Sequence, residues 1–158
     1  MLIRELERKD VEPLREILQA TNVFREEEIE VAVELMEATL GKTEDYVQKT
    51  IVDDSNNVQG YYCVGPTPMT QSTFDLYWIA VNPDYHGKGI GYQLLNDCEQ
   101  TVSSMNGRLI VVETSSLPKY EGTRKFYERN KYLEAARIRD YYAPGDDLMI
   151  YTKHLQEH

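Results

Sequence analysis

Apolar residues recur along the chain at two spacings, and each change of spacing marks an element boundary. Residues 2–6 alternate as a strand does. Val11, Leu14, Ile17 and Leu18 then share one helical face behind Asp10, a side chain suited to an N-cap. Glu26, Glu27 and Glu28 favour the positive end of a helix dipole and open a second helix, in which Ile29, Ala32, Val33, Met36 and Leu40 line one side up to Gly41. Runs 46–52 and 58–64 predict a hairpin, because the turn formers Asp53-Asp54-Ser55-Asn56-Asn57 separate them; Pro66 and Pro68 end its second strand. The aromatic and β-branched stretch FDLYWIAV, 74–81, predicts another strand, followed by a glycine loop and a helix with Ile90, Leu94, Leu95, Cys98 and Val102 as its buried stripe. RLIVVET, 108–114, is nearly all apolar, as expected for a strand covered on both faces. A helix over 123–130 and a hairpin of 133–141 with 148–154, turning at 143–147, complete the pattern. The order is strand, two helices, three strands, helix, strand, helix, two strands. It predicts an α/β fold on a mixed, largely antiparallel sheet, with one crossover helix between the fourth and fifth strands.

Composition narrows the class. The chain has 158 residues, 41% of them hydrophobic, with no repeat, low-complexity tract or linker, so residues 1–158 are expected to form a single domain with one core. Acidic residues outnumber basic ones 27 to 17, giving a net charge of −10, and no basic cluster offsets it. Wholesale binding of nucleic acid is therefore not expected, whereas a cationic substrate suits the charge. Cys63 and Cys98 lie far apart, at neither metal nor redox spacing, and read as reduced core thiols. The opening MLIRELERKD carries no apolar signal region and no membrane span, which points to a cytoplasmic protein. His154 and His158 are expected to face solvent and His86 has no metal-spaced partner, so no metal site is expected.

The loop between the fourth strand and its helix carries candidate chemistry. Gly87, Gly89 and Gly91 stand where backbone N–H groups lack helical partners and the helix dipole is positive, a natural anion site. Glycine there admits positive φ and keeps a Cβ away from an approaching phosphate. A dinucleotide fingerprint is excluded, since the third glycine position holds Tyr92 or Leu94. A Walker loop is excluded because Gly89 follows Lys88.

The six residues His86-Gly87-Lys88-Gly89-Ile90-Gly91 resemble Q/R-x-x-G-x-G/A, the acetyl-coenzyme A loop of the GNAT family of N-acetyltransferases. WIAVNPDY before it resembles that family's strand and approach to the loop, and KFYERNKY at 125–132 resembles its last helix with a conserved-type tyrosine. The resemblance implies a GNAT-type central sheet of about seven strands with helices on both faces. It implies acetyl-coenzyme A as donor, held by Ile79, Ala80, Val81, His86, Gly87, Lys88, Gly89, Ile90, Gly91, Tyr92 and Tyr127. The acceptor it implies is a primary amine of a small molecule or a peptide. This chain departs from the pattern at His86 for Gln or Arg, Tyr120 for Asn, Thr123 for Ala and Lys131 for Gly. The last change asks Asn130 or Lys131 to adopt a left-handed conformation, and Asn130 is the expected one.

Acetyl transfer needs a neutral amine, and an ordinary lysine-like amine costs about 4.6 kcal/mol to deprotonate at pH 7. By resemblance Asp75 holds the position of a general base; alternation places it on a face with Tyr77, and Leu76 with Trp78 on the other. Glu113, at the end of the next strand, is the second candidate. Tyr127 matches the tyrosine that hydrogen-bonds the thioester sulfur and protonates the leaving thiolate, and an N–H near Val81 matches the oxyanion donor. In this fold YYAPGDD, with Asp146 and Asp147, and TNVFREEE at 21–28 border the acceptor. A competing reading is an acyl-coenzyme A sensor without turnover. The edge of the closing hairpin could pair with a second copy as a homodimer.

Overall fold

The computed structural model describes residues 1–155, so His158 lies outside the described residues. The strands are β1 (Leu2–Glu5), β2 (Val47–Val52), β3 (Val58–Pro66), β4 (Thr73–Val81), β5 (Leu109–Ser115), β6 (Leu133–Ala143) and β7 (Asp146–His154). The helices are α1 (Val11–Ala20), α2 (Glu26–Leu40), α3 (Ile90–Ser104) and α4 (Glu121–Arg129). They build a seven-stranded sheet in the order β1-β2-β3-β4-β5-β7-β6. Every neighbouring pair is antiparallel except β4 with β5, which α3 connects as the crossover helix.

Each face of the sheet has its own core. The predicted stripes of α1 and α2 pack on Val52, Val58, Tyr61, Cys63 and Ala80. On the opposite face Ile90, Leu94, Leu95, Cys98 and Val102 of α3 and Tyr127 of α4 pack on Ile51, Tyr62, Val64, Ile110 and Val112. Burying each large aliphatic side chain contributes about 1.5–3 kcal/mol, so these two stripes hold the crossover in place. Cys63 and Cys98 are free and buried, and burial pushes the Cys63 thiol up to about 12, which makes both packing groups.

Several expectations are corrected. The cover of α1 and α2 ends at β4, so β5 is sealed on one face only: Ile110 and Val112 are buried, whereas Glu113 on the other face is exposed. Asp10 does not cap α1 with its side chain. It accepts from Arg4 Nη1 and Nη2 at 2.8 and 2.9 Å and from the Glu7 N–H at 2.7 Å, because a 3-10 turn over Arg8–Asp10 points its carboxylate back at β1. At the end of α4 it is Lys131, at φ 71°, that turns left-handed, with Asn130 at φ −94°. Lys131 N–H bonds Glu128 O and Tyr132 N–H bonds Tyr127 O, a pattern that requires the turn residue one place beyond the cap.

β4 carries a bulge opposite β3. Cys63 faces Trp78 while Val64 faces Leu76, which leaves Tyr77 as the extra residue. Leu76 therefore joins the α3 core and Trp78 the α1–α2 core, and the expected sharing of a face by these two fails. At the far edge every residue of β6 is exposed. Bulges at Ala135 and over 139–142 interrupt its ladder with β7.

Candidate active site

The parallel ladder between β4 and β5 has three rungs, Thr73 with Leu109, Phe74 with Ile110 and Asp75 with Val111, and there it stops. Beyond Asp75 the two strands part. Asn82 N–H bonds Gln59 O at 2.8 Å and Gly60 stands opposite Val81. In an antiparallel ladder the bonded pairs alternate, so Val81 and Ile79 turn their N–H groups away from β3 and into the gap. His86 Nε2–H donates to Val81 O at 3.2 Å and ties the glycine loop to the strand end. The family-type position of His86 thus has a local structural task here.

Past a 3-10 turn at Pro83–Tyr85, the loop enters α3 through Gly87 at φ 78° and Gly89 at φ 77°, the latter being the helix N-cap. A Cβ at either position would meet nothing within 4 Å, so the space beside these amides is open and free for an anion. Gly91 answers to a different constraint: its Cβ would lie 3.1 Å from the Phe126 ring, where α3 crosses α4. Lys88 sits over the Tyr85 ring at 5.1 Å, and Tyr92 is exposed on the first turn of α3.

Tyr127 belongs to the core on the α3 face of the sheet, 3% exposed, its ring 5.4 Å from Phe126, 5.5 Å from Tyr132 and 6.3 Å from Tyr151. Burial raises its pKa, so the phenol keeps its proton throughout the neutral range.

Carboxylates and tyrosines gather on the opposite face. Asp75 Oδ2 accepts from Thr67 Oγ1 at 2.7 Å and from the Tyr77 hydroxyl at 3.4 Å, so Asp75 and Tyr77 share a face as expected. Partial desolvation first and the Asp75 charge second raise the pKa of Glu113, whose side chain still reaches solvent. Burial, then the charges of Glu113, Tyr141, Asp146 and Glu28, push Tyr142 up to about 12. Ser115 Oγ donates to the Asp146 carboxylate. Asp147, expected to share the border of the cleft, is instead buried: it accepts from Arg137 Nε at 2.7 Å and from Asp140 N–H at 2.9 Å. It holds the β6 bulge that carries Tyr141 and Tyr142 outward.

Tyr120 donates to Val23 O at 2.7 Å and joins α4 to the loop before α2, while Phe24 meets Trp78 edge-on at 5.1 Å. The loop 21–25 is thereby fastened to the start of α4 and to β4. Sequence reasoning missed Thr67 and this use of Tyr120. Thr67 sits between two prolines with no periodic signal, and the partner of Tyr120 is 97 residues away in the chain. His154 is exposed, as expected. Among the described residues no helix is long and apolar enough to cross a membrane.

Comparison with known proteins fits this geometry. Residues 46–133 match the model of the acetyltransferase (GNAT) domain, more than half of the chain. A GNAT-family protein from Desulfovibrio desulfuricans is 36% identical, with a TM-score of 0.92 over 98% of this chain and 99% of its own. An aminoglycoside 6'-N-acetyltransferase solved with coenzyme A shares the fold at 18% identity, TM-score 0.80, over 100% and 99% of the two chains. A protein from Salmonella typhimurium solved with its cofactor acetyl-CoA does so at 19% identity, TM-score 0.78, over 100% and 95%. No curated protein matches the chain significantly. With the parted strands, the glycine-led helix and the family model in agreement, the chain belongs to the GNAT family of acetyltransferases.

Proposed function

We propose that the chain moves an acetyl group from acetyl-coenzyme A to a primary amine by direct attack, in the gap between β4 and β5. The observation that carries this is the end of the β4–β5 ladder at Asp75, followed along the chain by the open Gly87 and Gly89 amides; buried Tyr127, in the core on the α3 face, supports it. The residues present fit the donor, since the space beside both glycines accepts a phosphate without displacing any side chain.

Acetyl-coenzyme A, when bound, supplies an acetyl group activated as a thioester. The amides from Gly87 to Gly91, at the positive end of the 15-residue α3, hold its pyrophosphate, flanked by Lys88 and Tyr92. Ile79, Ala80 and Val81 line the arm, and the Val81 N–H stabilises charge on the carbonyl oxygen. The Tyr127 hydroxyl donates to the sulfur. The acceptor arrives as an ammonium over the uncovered face of β5 and gives its proton to Asp75 or Glu113. The tyrosines and carboxylates there suit a cationic small molecule or peptide amine. We read residues 1–158 as one such domain, and the free, buried Cys63 and Cys98 support a reducing, cytoplasmic setting.

The test is to mix the protein with acetyl-coenzyme A and a panel of primary amines while following free thiol. Thiol release that depends on the amine is the expected result. Release at the same rate with and without every amine would sink the proposal.

A further inference from the structure

The bulge in β4 turns two consecutive aromatic side chains onto one face of the sheet. Plain alternation would set Tyr77 and Trp78 on opposite faces, but Tyr77 is the extra residue, and Trp78 packs with the α1–α2 core. Gly65 stands opposite Asp75, two places along β3 from Cys63, which faces the same core. A Cβ on Gly65 would lie 2.8 Å from the Tyr46 ring and 3.4 Å from the Tyr77 ring, so Tyr77 is on this face as well. Glycine inside the strand is what lets Tyr46 lie against the sheet. Each of the two β4 rings is backed by a ring from another segment: Tyr46 meets Tyr77 edge-on at 5.4 Å, and Phe24 meets Trp78 edge-on at 5.1 Å. The segment of Phe24 is fixed in turn, because Tyr120 donates to Val23 O at 2.7 Å.

Tyr77 is exposed and Trp78 half-buried, at the line where the cover of α1 and α2 ends and the bare face of β5 begins. Four residues of strand separate Tyr77 from Val81, so the rings stand within about 13 Å of the N–H groups that open into the gap. The hydroxyls on this side are already engaged: Thr67 and Tyr77 on Asp75, Ser115 on Asp146 and Tyr120 on Val23 O. We infer that Tyr77 and Trp78 are specificity-determining residues that hold the body of the acceptor, and that the preferred acceptor is a primary amine on an apolar, aromatic or alkyl skeleton. This rests on the acetyl-transfer reading above. A ring laid against these rings buries apolar surface and finds edge-to-face partners, whereas a hydroxyl-rich body would lose its hydration without gaining hydrogen bonds.

Trp78 is the sole tryptophan of the chain, so its emission reports on this place directly. The experiment compares phenethylamine with ethanolamine, which carry one and the same aminoethyl group on a phenyl ring and on a hydroxyl. In the presence of coenzyme A, which has no acetyl group to give, phenethylamine should change Trp78 emission saturably and ethanolamine should not. With acetyl-coenzyme A, thiol release should favour phenethylamine in kcat/KM by about tenfold or more. Tyr77→Ala should raise the KM for phenethylamine by about tenfold with kcat and the ethanolamine KM little changed. Gly65→Ala, which drives Tyr46 from behind Tyr77, should move the same KM the same way by less. Equal efficiency for the two amines, Trp78 emission blind to phenethylamine, or a Tyr77→Ala loss shared equally by both amines would overturn the assignment while leaving acetyl transfer intact. Saturable emission changes with no thiol released by any amine would sink acetyl transfer and keep the aromatic site.

Discussion

Tyr127 is packed among Phe126, Tyr132 and Tyr151, so Tyr127→Phe removes one hydroxyl and almost no volume. The rings keep the side chain in place, and the loss is confined to the hydroxyl proposed to donate to the sulfur. Steady-state kinetics of this variant should show kcat lowered by about ten- to a thousandfold with the KM for acetyl-coenzyme A nearly unchanged, the pattern of a lost general acid. Normal turnover would remove the role. The glycines of the loop separate in the same way by what each one touches. Gly87 and Gly89 leave space for a ligand, and Gly91 leaves space for Phe126.

The turn before α1 depends on a single carboxylate. Asp10 is 1% exposed and binds both Arg4 nitrogens and the Glu7 N–H, joining β1 to the turn that starts the first helix. Asp10→Ala leaves Arg4 with only the more exposed Glu7 as an ion-pair partner and the Glu7 N–H without its acceptor, and should cost about 3 kcal/mol in denaturant unfolding. Asp10→Asn still accepts from Glu7 and should cost less. The sequence showed that a helix begins here, because Val11, Leu14, Ile17 and Leu18 repeat at helical spacing. It did not show which way Asp10 points, because that depends on Arg4 in a neighbouring strand. The same division runs through the fold. The periodic elements, the sheet class and the glycine loop were readable from spacing. The β4 bulge, the left-handed Lys131 and the inward turn of Asp147 were not, since each is set by hydrogen bonds or register with a segment distant from the local pattern. In the site, the shared face of Asp75 and Tyr77 was visible in advance, while the burial of Tyr127 and the anchoring of Asp75 by Thr67 were not.

Acid should weaken the assembled sheet through a few identifiable carboxylates. The Asn57 and Ser55 N–H groups hold the Asp53 carboxyl below its ordinary value, and the Asp140 N–H and then Arg137 do so for Asp147. A group whose folded pKa is depressed adds stability above its unfolded pKa, about 3.9, and that stability is lost as pH falls through the folded value. Thermal melts from pH 7 downward should therefore show Tm falling most steeply below about pH 4. Asp147→Asn should start lower and fall less. A variant with the wild-type slope would exclude Asp147 as a contributor.

The three-rung ladder of β4 and β5 has a mechanical meaning as well. It couples a half-sheet of β1 to β4 to a half-sheet of β5, β7 and β6, with the α3 crossover, the bonds of Arg108 to Gln71 O and Ser72 O and the Tyr120–Val23 bond among the other ties. Three rungs make a short hinge pin, and it lies along the seam proposed for the donor. A bound donor then acts as a cross-brace between the two leaves, stiffening the protein along the seam where it does its chemistry.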